Sequence, residues 1–147
     1  MDFNLTVTGI DEAIAGADKA TELFYRYTEE AMEWFGKTVS EAAKDDHPYE
    51  DHTYVLTRSI GYTVESWSAK TVQVNVYAMA PYAEAVEYGT AKSRAYPFLF
   101  PQFYRFLDPL QVKLQNAVNR AISEGGIFGG AFKRQTGTTS APISRFT

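Results

Sequence analysis

Two histidines, His47 and His52, stand five residues apart in Asp45-Asp46-His47-Pro48-Tyr49-Glu50-Asp51-His52, among four acids. Imidazole nitrogens and carboxylates are ligands for a divalent cation, and a bound cation of that kind would activate water for hydrolysis. A metal site also needs rigid geometry. This segment is interrupted by Pro48 and lacks two histidines at i, i+4 on one helix face, so a solvated polar turn accounts for the same residues. Glu84 and Glu87 are the second candidate, because paired carboxylates can do acid–base work. At a spacing of three, on a short helix beside tyrosines, they read instead as one solvated acid and one structural acceptor. The chain has no Gly-rich phosphate loop, no G-x-S-x-G elbow and no H-E-x-x-H. It has no cysteine, which excludes disulfides and thiolate sites. The expectation is therefore no catalytic residue, no cofactor and no metal.

The elements that would position these residues follow from periodicity. Phe3, Leu5 and Val7 alternate with polar residues, as in a strand at a sheet edge. From Asp11 to about Lys44 apolar or small residues recur every three or four positions (Ile14, Ala17, Phe24, Tyr27, Ala31, Val39), which predicts one amphipathic helix of about 50 Å. Leu56 to Trp67 and Thr71 to Met79 read as two strands joined by Ser68-Ala69-Lys70. Val72, Val74 and Val76 alternate with Gln73, Asn75 and Tyr77, leaving one wet face. Ala80-Pro81 breaks the strand. Tyr82, Ala83 and Val86 then sit at helical spacing, and Gly89 offers a left-handed cap. A basic loop with Lys92 and Arg94 leads to the aromatic segment Pro97 to Leu107. Asp108 as N-cap and Pro109 at the first position restart a helix, with Leu110, Leu114, Ala117/Val118 and Ala121/Ile122 as its buried stripe. Gly125-Gly126 stops it. The fold class is α+β, a small, mostly antiparallel sheet packed with a long N-terminal and a C-terminal helix, forming one domain over residues 1–124. Trp34, Trp67 and the Phe98–Phe106 cluster are expected in the core, with surplus tyrosines facing neighbours.

The string from Val72 to Pro101 carries a resemblance. Tyr82 to Thr90 reads Y-A-x-x-V-E-x-G-T and Ala95 to Pro101 reads A-x-P-F-L-x-P, a pair of motifs that resembles the centre of the tail-completion (head–tail joining) proteins of long-tailed bacteriophages. Leu5, Val7, Gly9 and Ile10 fit that family's opening strand and glycine. Thr53, Leu56, Ser59 and Ile60 fit its segment entering the first sheet strand, where Tyr54 stands in place of glycine and points to a different turn after Pro48. The likeness spans residues 3–118. It implies a structural virion protein of the neck, made in the host cytoplasm, that forms a ring of six copies. The ring would lie between a head-side connector or adaptor and the tail-tube or tail-terminator proteins. DNA would pass through its channel without specific binding. The motif residues Tyr82, Glu87, Gly89, Thr90, Pro97, Phe98 and Leu99 then serve shape, with Glu87 accepting hydrogen bonds that hold the Gly89 turn and Pro97-Phe98-Leu99 buried beside it.

Composition is compatible with that expectation. No apolar run approaches the ~18 residues of a membrane span, and Met1-Asp2-Phe3-Asn4 lacks the pattern of a signal peptide. Residues 1–57 carry thirteen acids against four Lys/Arg, a net −9, while residues 58–147 carry five against ten, a net +5. Such a dipolar chain can pair acidic helix surface with Arg58, Lys92 and Arg94 of a neighbouring copy. Its overall acidity argues against tight duplex binding. Residues 125–147 read as an extended arm, rich in Gly and Ser/Thr, without an acid after Glu124. The arm carries Lys133, Arg134 and Arg145 and the apolar anchors Phe128, Phe132, Ile143 and Phe146 for a partner's surface. A frayed terminus is the plainer reading of the same residues. Two rival functions remain: a cellular oligomeric protein-binding module with a regulatory tail, and a metal-dependent hydrolase built on His47 and His52.

Overall fold

Alternation of apolar and polar residues in three short segments builds a single antiparallel sheet. The computed structural model of the protein describes residues 1–10, 18–50, 53–67 and 71–125. In chain order its elements are β1 (Asp2–Val7), α1 (Asp18–Asp45), α2 (Val55–Ser59), β2 (Ile60–Trp67), β3 (Thr71–Ala78), α3 (Ala83–Tyr88), α4 (Phe100–Arg105) and α5 (Leu107–Glu124). The strand order is β1-β3-β2, both pairings antiparallel. Val72, Val74 and Val76 of the central strand stand opposite Val7, Leu5 and Phe3 on one side and Ser66, Val64 and Tyr62 on the other. Because side chains alternate across a strand, these residues share one face. The opposite face carries Asn4, Thr6, Thr63, Glu65, Gln73 and Asn75. The fold is α+β.

The helices cover the apolar face. α1 packs over β2 and β3 and buries Phe24, Met32, Phe35 and Val39 completely. α5 lies antiparallel beside α1, with contacts recurring every two turns of α1. Lys113 sits over the Trp34 ring at 4.5 Å and Arg120 over the Tyr27 ring at 4.1 Å, while a Cβ on Gly125 would meet Ala20. The Tyr27 hydroxyl donates to Glu124, which also accepts from Arg120 at 2.9 Å. Those two hydrogen bonds, Tyr27's first, hold the Glu124 carboxyl below its ordinary value. Leu110, Leu114, Ala117, Val118, Ala121 and Ile122 form the buried stripe of α5, as its spacing requires.

Helix α1 is described over Asp18–Asp45, 28 residues or about 42 Å long, and the start expected near Asp11 lies outside the described residues. Three boundaries differ from the sequence expectation. Leu56 to Ser59 are helical, not extended, because the Arg58 N–H donates to Tyr54 O at 2.9 Å and the Ser59 hydroxyl to Leu56 O at 2.7 Å. β3 ends at Ala78, since Ala80-Pro81 lies just beyond it. α5 begins at Leu107 with Phe106 as N-cap, so Asp108 and Pro109 fall inside its first turn. There a proline removes no helical hydrogen bond and an acid faces the positive end of the helix dipole. Trp67 is 49% exposed rather than core, because it stands on the uncovered face at the end of an edge strand. The loop at residues 68–70 and the arm beyond Gly125 lie outside the described residues.

Gly36 lets α1 approach the sheet closely. A Cβ there would stand 2.4 Å from Tyr62 Cδ2 and 2.9 Å from Val74 Cγ2. Alanine is the better helix former by about 1 kcal/mol, yet the overpacking outweighs it. Gly36→Ala is expected to lower stability by about 1–3 kcal/mol in urea unfolding.

The same contact has a pH signature. The Tyr62 hydroxyl donates to Glu33 Oε1 at 2.5 Å, and this bond, then burial, then the charges of Glu33 and Glu41 push the phenol up to about 12. The folded state thus favours the protonated phenol. The contact contributes fully below the unfolded tyrosine value of 10.0, and its contribution disappears as pH rises through about 12. An ultraviolet titration of tyrosinate should show this late tyrosine, and Glu33→Gln should return its midpoint toward 10.

Candidate functional site

The site is built where α3 ends and α4 begins. α3 is a six-residue helix with Glu84 on its exposed side and Glu87 on its buried side. Glu87 is 2% exposed, and three backbone N–H groups donate to its carboxylate. Phe98 and Leu99 bind Oε2 at 2.7 and 3.1 Å, and Phe100 binds Oε1 at 2.8 Å. Leu99, at the N-cap of α4, makes no side-chain cap of its own. The buried carboxylate caps the entry to α4, taking the N–H groups of the two residues before it and of its first residue.

Gly89 makes this geometry possible. Its φ of 80° and ψ of 174° lie in a region open essentially to glycine alone, not in the left-handed helical cap expected from the sequence. A Cβ would stand 2.8 Å from the Ala95 amide nitrogen and 3.0 Å from Ser93 O. Beyond it the chain folds into a tight loop. The Thr90 N–H donates to Ser93 O at 2.8 Å, and Thr90 Oγ1 accepts from the Lys92 and Ser93 N–H groups at 3.2 and 3.1 Å. The Tyr96 N–H then donates to Val86 O at 2.7 Å and closes the loop onto α3. Lys92 and Arg94 are presented to solvent, with the Arg94 guanidinium 4.8 Å from the centre of the Tyr96 ring.

The structure therefore brings Glu87, Gly89, Phe98 and Leu99 together, with Thr90 bracing the loop. Phe98 and Leu99 are buried, but Pro97 is exposed, contrary to expectation. Glu87 captures amides from Phe98 onward, and proline, having no N–H, stays outside that grip. Tyr82 precedes α3, accepts the Val86 N–H at 3.1 Å and keeps its ring largely exposed. Arg58 is exposed on α2. Phe128, Phe132, Lys133, Arg134, Ile143 and Phe146 lie outside the described residues.

The two acids and the histidines meet different fates. Both Glu87 oxygens are occupied by amides, and Glu84 faces solvent, so the two form no carboxylate pair. The His47 ring stacks on Tyr49 at 3.9 Å and its Nδ1 donates to Tyr49 O at 3.0 Å. His52 lies outside the described residues, and among the described residues no three His, Cys, Asp or Glu side chains converge as metal ligands.

Sequence reasoning missed the surface around this unit. Tyr54, Val55 and Tyr82 line one cleft of about 240 Å³ with Tyr49 and Val86, and Met79 is 71% exposed. Tyr54 is also the one non-glycine residue at positive φ among the described residues, at 61°. The signal available in the sequence was its position, where the resembled family has glycine.

Comparison with family models, with curated proteins and with solved structures finds no match to this chain.

Glu87→Ala strands two buried amides and one half-buried one, and should cost about 3–5 kcal/mol. Glu87→Gln keeps one acceptor oxygen and should cost about 1–3 kcal/mol. Gly89→Val combines a forbidden backbone with a steric overlap and should fall with the alanine variant. Urea unfolding orders the three; an unperturbed Gly89→Val variant would refute the geometry.

Proposed function

We propose that this chain is a structural virion protein of the phage neck, forming a ring of six copies that completes the tail at the head–tail interface. The observation that carries this reading is that the resembling motifs fall on one interlocked unit. The glutamate of Y-A-x-x-V-E-x-G-T accepts the amides of the A-x-P-F-L-x-P segment. Motifs kept together by a buried hydrogen-bond network serve a shape. A second support is Tyr54, whose φ of 61° is a backbone that favours glycine, the residue the resembled proteins have there.

The surface suits assembly. Tyr54, Val55, Met79, Tyr82 and Tyr88 are exposed around the unit, and aromatic and methionine side chains are enriched at protein interfaces. Lys92, Arg94 and Arg58 stand on the exposed surface, available to the acids of a neighbour's α1. Exposed ion pairs contribute only about 0–1 kcal/mol each and are screened by salt, so apolar contacts carry most of the ring. With a net charge of −4, the channel would let DNA pass without holding it.

Sedimentation velocity and negative-stain electron microscopy of the full chain test the reading. A six-membered ring with an axial channel is expected, its association weakened but not abolished from low to high salt. A discrete dimer at every concentration overturns the ring and favours a cellular binding module. Association indifferent to salt removes the part assigned to Arg58, Lys92 and Arg94.

A further inference from the structure

Among the described residues β1 pairs with β3 alone and forms an edge of the sheet. The Met1 ammonium donates to Ala78 O at 3.4 Å and the Ala78 N–H donates to Met1 O at 3.0 Å. That reciprocal exchange sets the alternation of the antiparallel ladder: Phe3, Leu5 and Val7 direct their backbone groups at β3, and Asp2, Asn4 and Thr6 turn theirs outward. Among the described residues no hydrogen bond reaches those outward groups.

Beside this edge lies a cleft of about 460 Å³ between Asn4 and Leu5 of β1 and Phe103, Tyr104, Leu107 and Asp108 of α4 and α5. Its wall continues into exposed aromatics. Tyr104 is 68% exposed and lies 6.1 Å from Phe100, which in turn lies 5.4 Å from Phe3. A row of open backbone donors and acceptors along an apolar wall is the arrangement that accepts an added strand.

We propose that this cleft receives residues 127–134 of a neighbouring copy as a fourth strand beside β1. The inference rests on the assembly reading above only in requiring a second copy. Phe128 and Phe132 are four apart with Gly130 midway, so in a strand both rings project to one face, toward Phe103, Tyr104 and Leu107. Charge agrees: residues 127–147 contain no acid, Lys133 and Arg134 follow Phe132, and the cleft carries Asp108 and no Lys or Arg.

Reach selects the neighbour's segment over the chain's own. The cleft is lined by the first residues of α5, and Gly125 follows at the far end of that helix, about 26 Å away. Phe128 comes only three residues later, about 10 Å of extended chain. A chain's own Phe128 cannot enter its own cleft, whereas a second copy places the segment there directly.

Residue-resolved amide exchange on the full chain tests this. The amides of Asp2, Asn4 and Thr6 should exchange about tenfold more slowly, or slower still, in the associated protein than after dilution to the monomer. Asn4→Pro removes an outward N–H while leaving the β3 ladder intact, as edge strands tolerate. It should weaken association about tenfold or more with an unchanged circular dichroism spectrum. Phe128→Ser/Phe132→Ser, which leaves residues 1–125 untouched, should abolish the protection of Asp2, Asn4 and Thr6. Rapid exchange of these three amides in an assembled ring overturns the proposal while sparing the ring. Protection that persists in the monomer overturns exchange between copies. Full association of the phenylalanine double variant overturns the assigned occupant.

Discussion

A carboxylate stripped of water is among the least favourable groups a small core can hold, and it persists only where charge-assisted hydrogen bonds replace the lost hydration. Glu87 meets that condition with three backbone donors, and the chain between residues 87 and 100 is organised around it. The helix that follows has no cap from its own sequence, so the nearest way to satisfy its first N–H groups is a side chain from another element. That requirement closes a loop of eleven to thirteen residues. The backbone bond from Tyr96 to Val86 O fastens it at a second point. Gly89 is the residue that lets the chain turn sharply enough for both.

The anchor propagates through packing. With its amides fixed, Phe98 turns its ring against Tyr49, 5.4 Å away and edge-on, and Tyr49 in turn stacks on His47. One turn further, Phe103 meets Phe35 of α1 at 5.1 Å and Phe3 of β1 at 5.8 Å. Those contacts set α4 between the long helix and the sheet edge and deliver the chain into α5 at the right place to run back along α1. A cluster of aromatics that composition could only count is thereby divided. Phe98 and Phe103 fill the core, while Phe100 and Tyr104 of the same short helix remain largely exposed.

The sheet and the two long helices were legible because their patterns are periodic over many residues. The valines of β3 and the stripe from Leu110 to Ile122 name their own buried faces. Short elements were not, because a few apolar residues satisfy helix and strand equally well. Leu56, Ser59 and Ile60 read as one strand, yet local carbonyl bonds take Leu56 to Ser59 into a helical turn. Tyr54 at positive φ runs against its side-chain type, so only position, not propensity, could point to it. At the candidate site, Glu87 and Gly89 were marked by a motif; the acceptor role of Glu87 followed from chemistry, whereas Gly89 takes an extended backbone at positive φ in place of the expected left-handed cap. The exposure of Pro97 was hidden because it depends on which amides the carboxylate captures, a tertiary fact.

The same accounting separates what holds the subunit together from what it offers outward. Glu87, Phe98 and Leu99 are buried and engaged, leaving nothing for a partner. Among the described residues, exposed apolar side chains gather at Tyr54, Val55 and Tyr82 around one cleft and at Phe100 and Tyr104 beside the open edge of β1. An isologous dimer needs one self-complementary patch, whereas a closed ring joins a patch on one copy to a different patch on the next. In the proposed ring the β1 edge of one copy meets residues 127–134 of the next, a joint of the second kind. The edge of β1 is also the surface most in need of a partner, because natural sheets rarely leave a long edge strand beside an apolar wall uncovered. In the proposed assembly that exposed edge becomes the joint, so the feature that would endanger a solitary subunit directs the way copies meet.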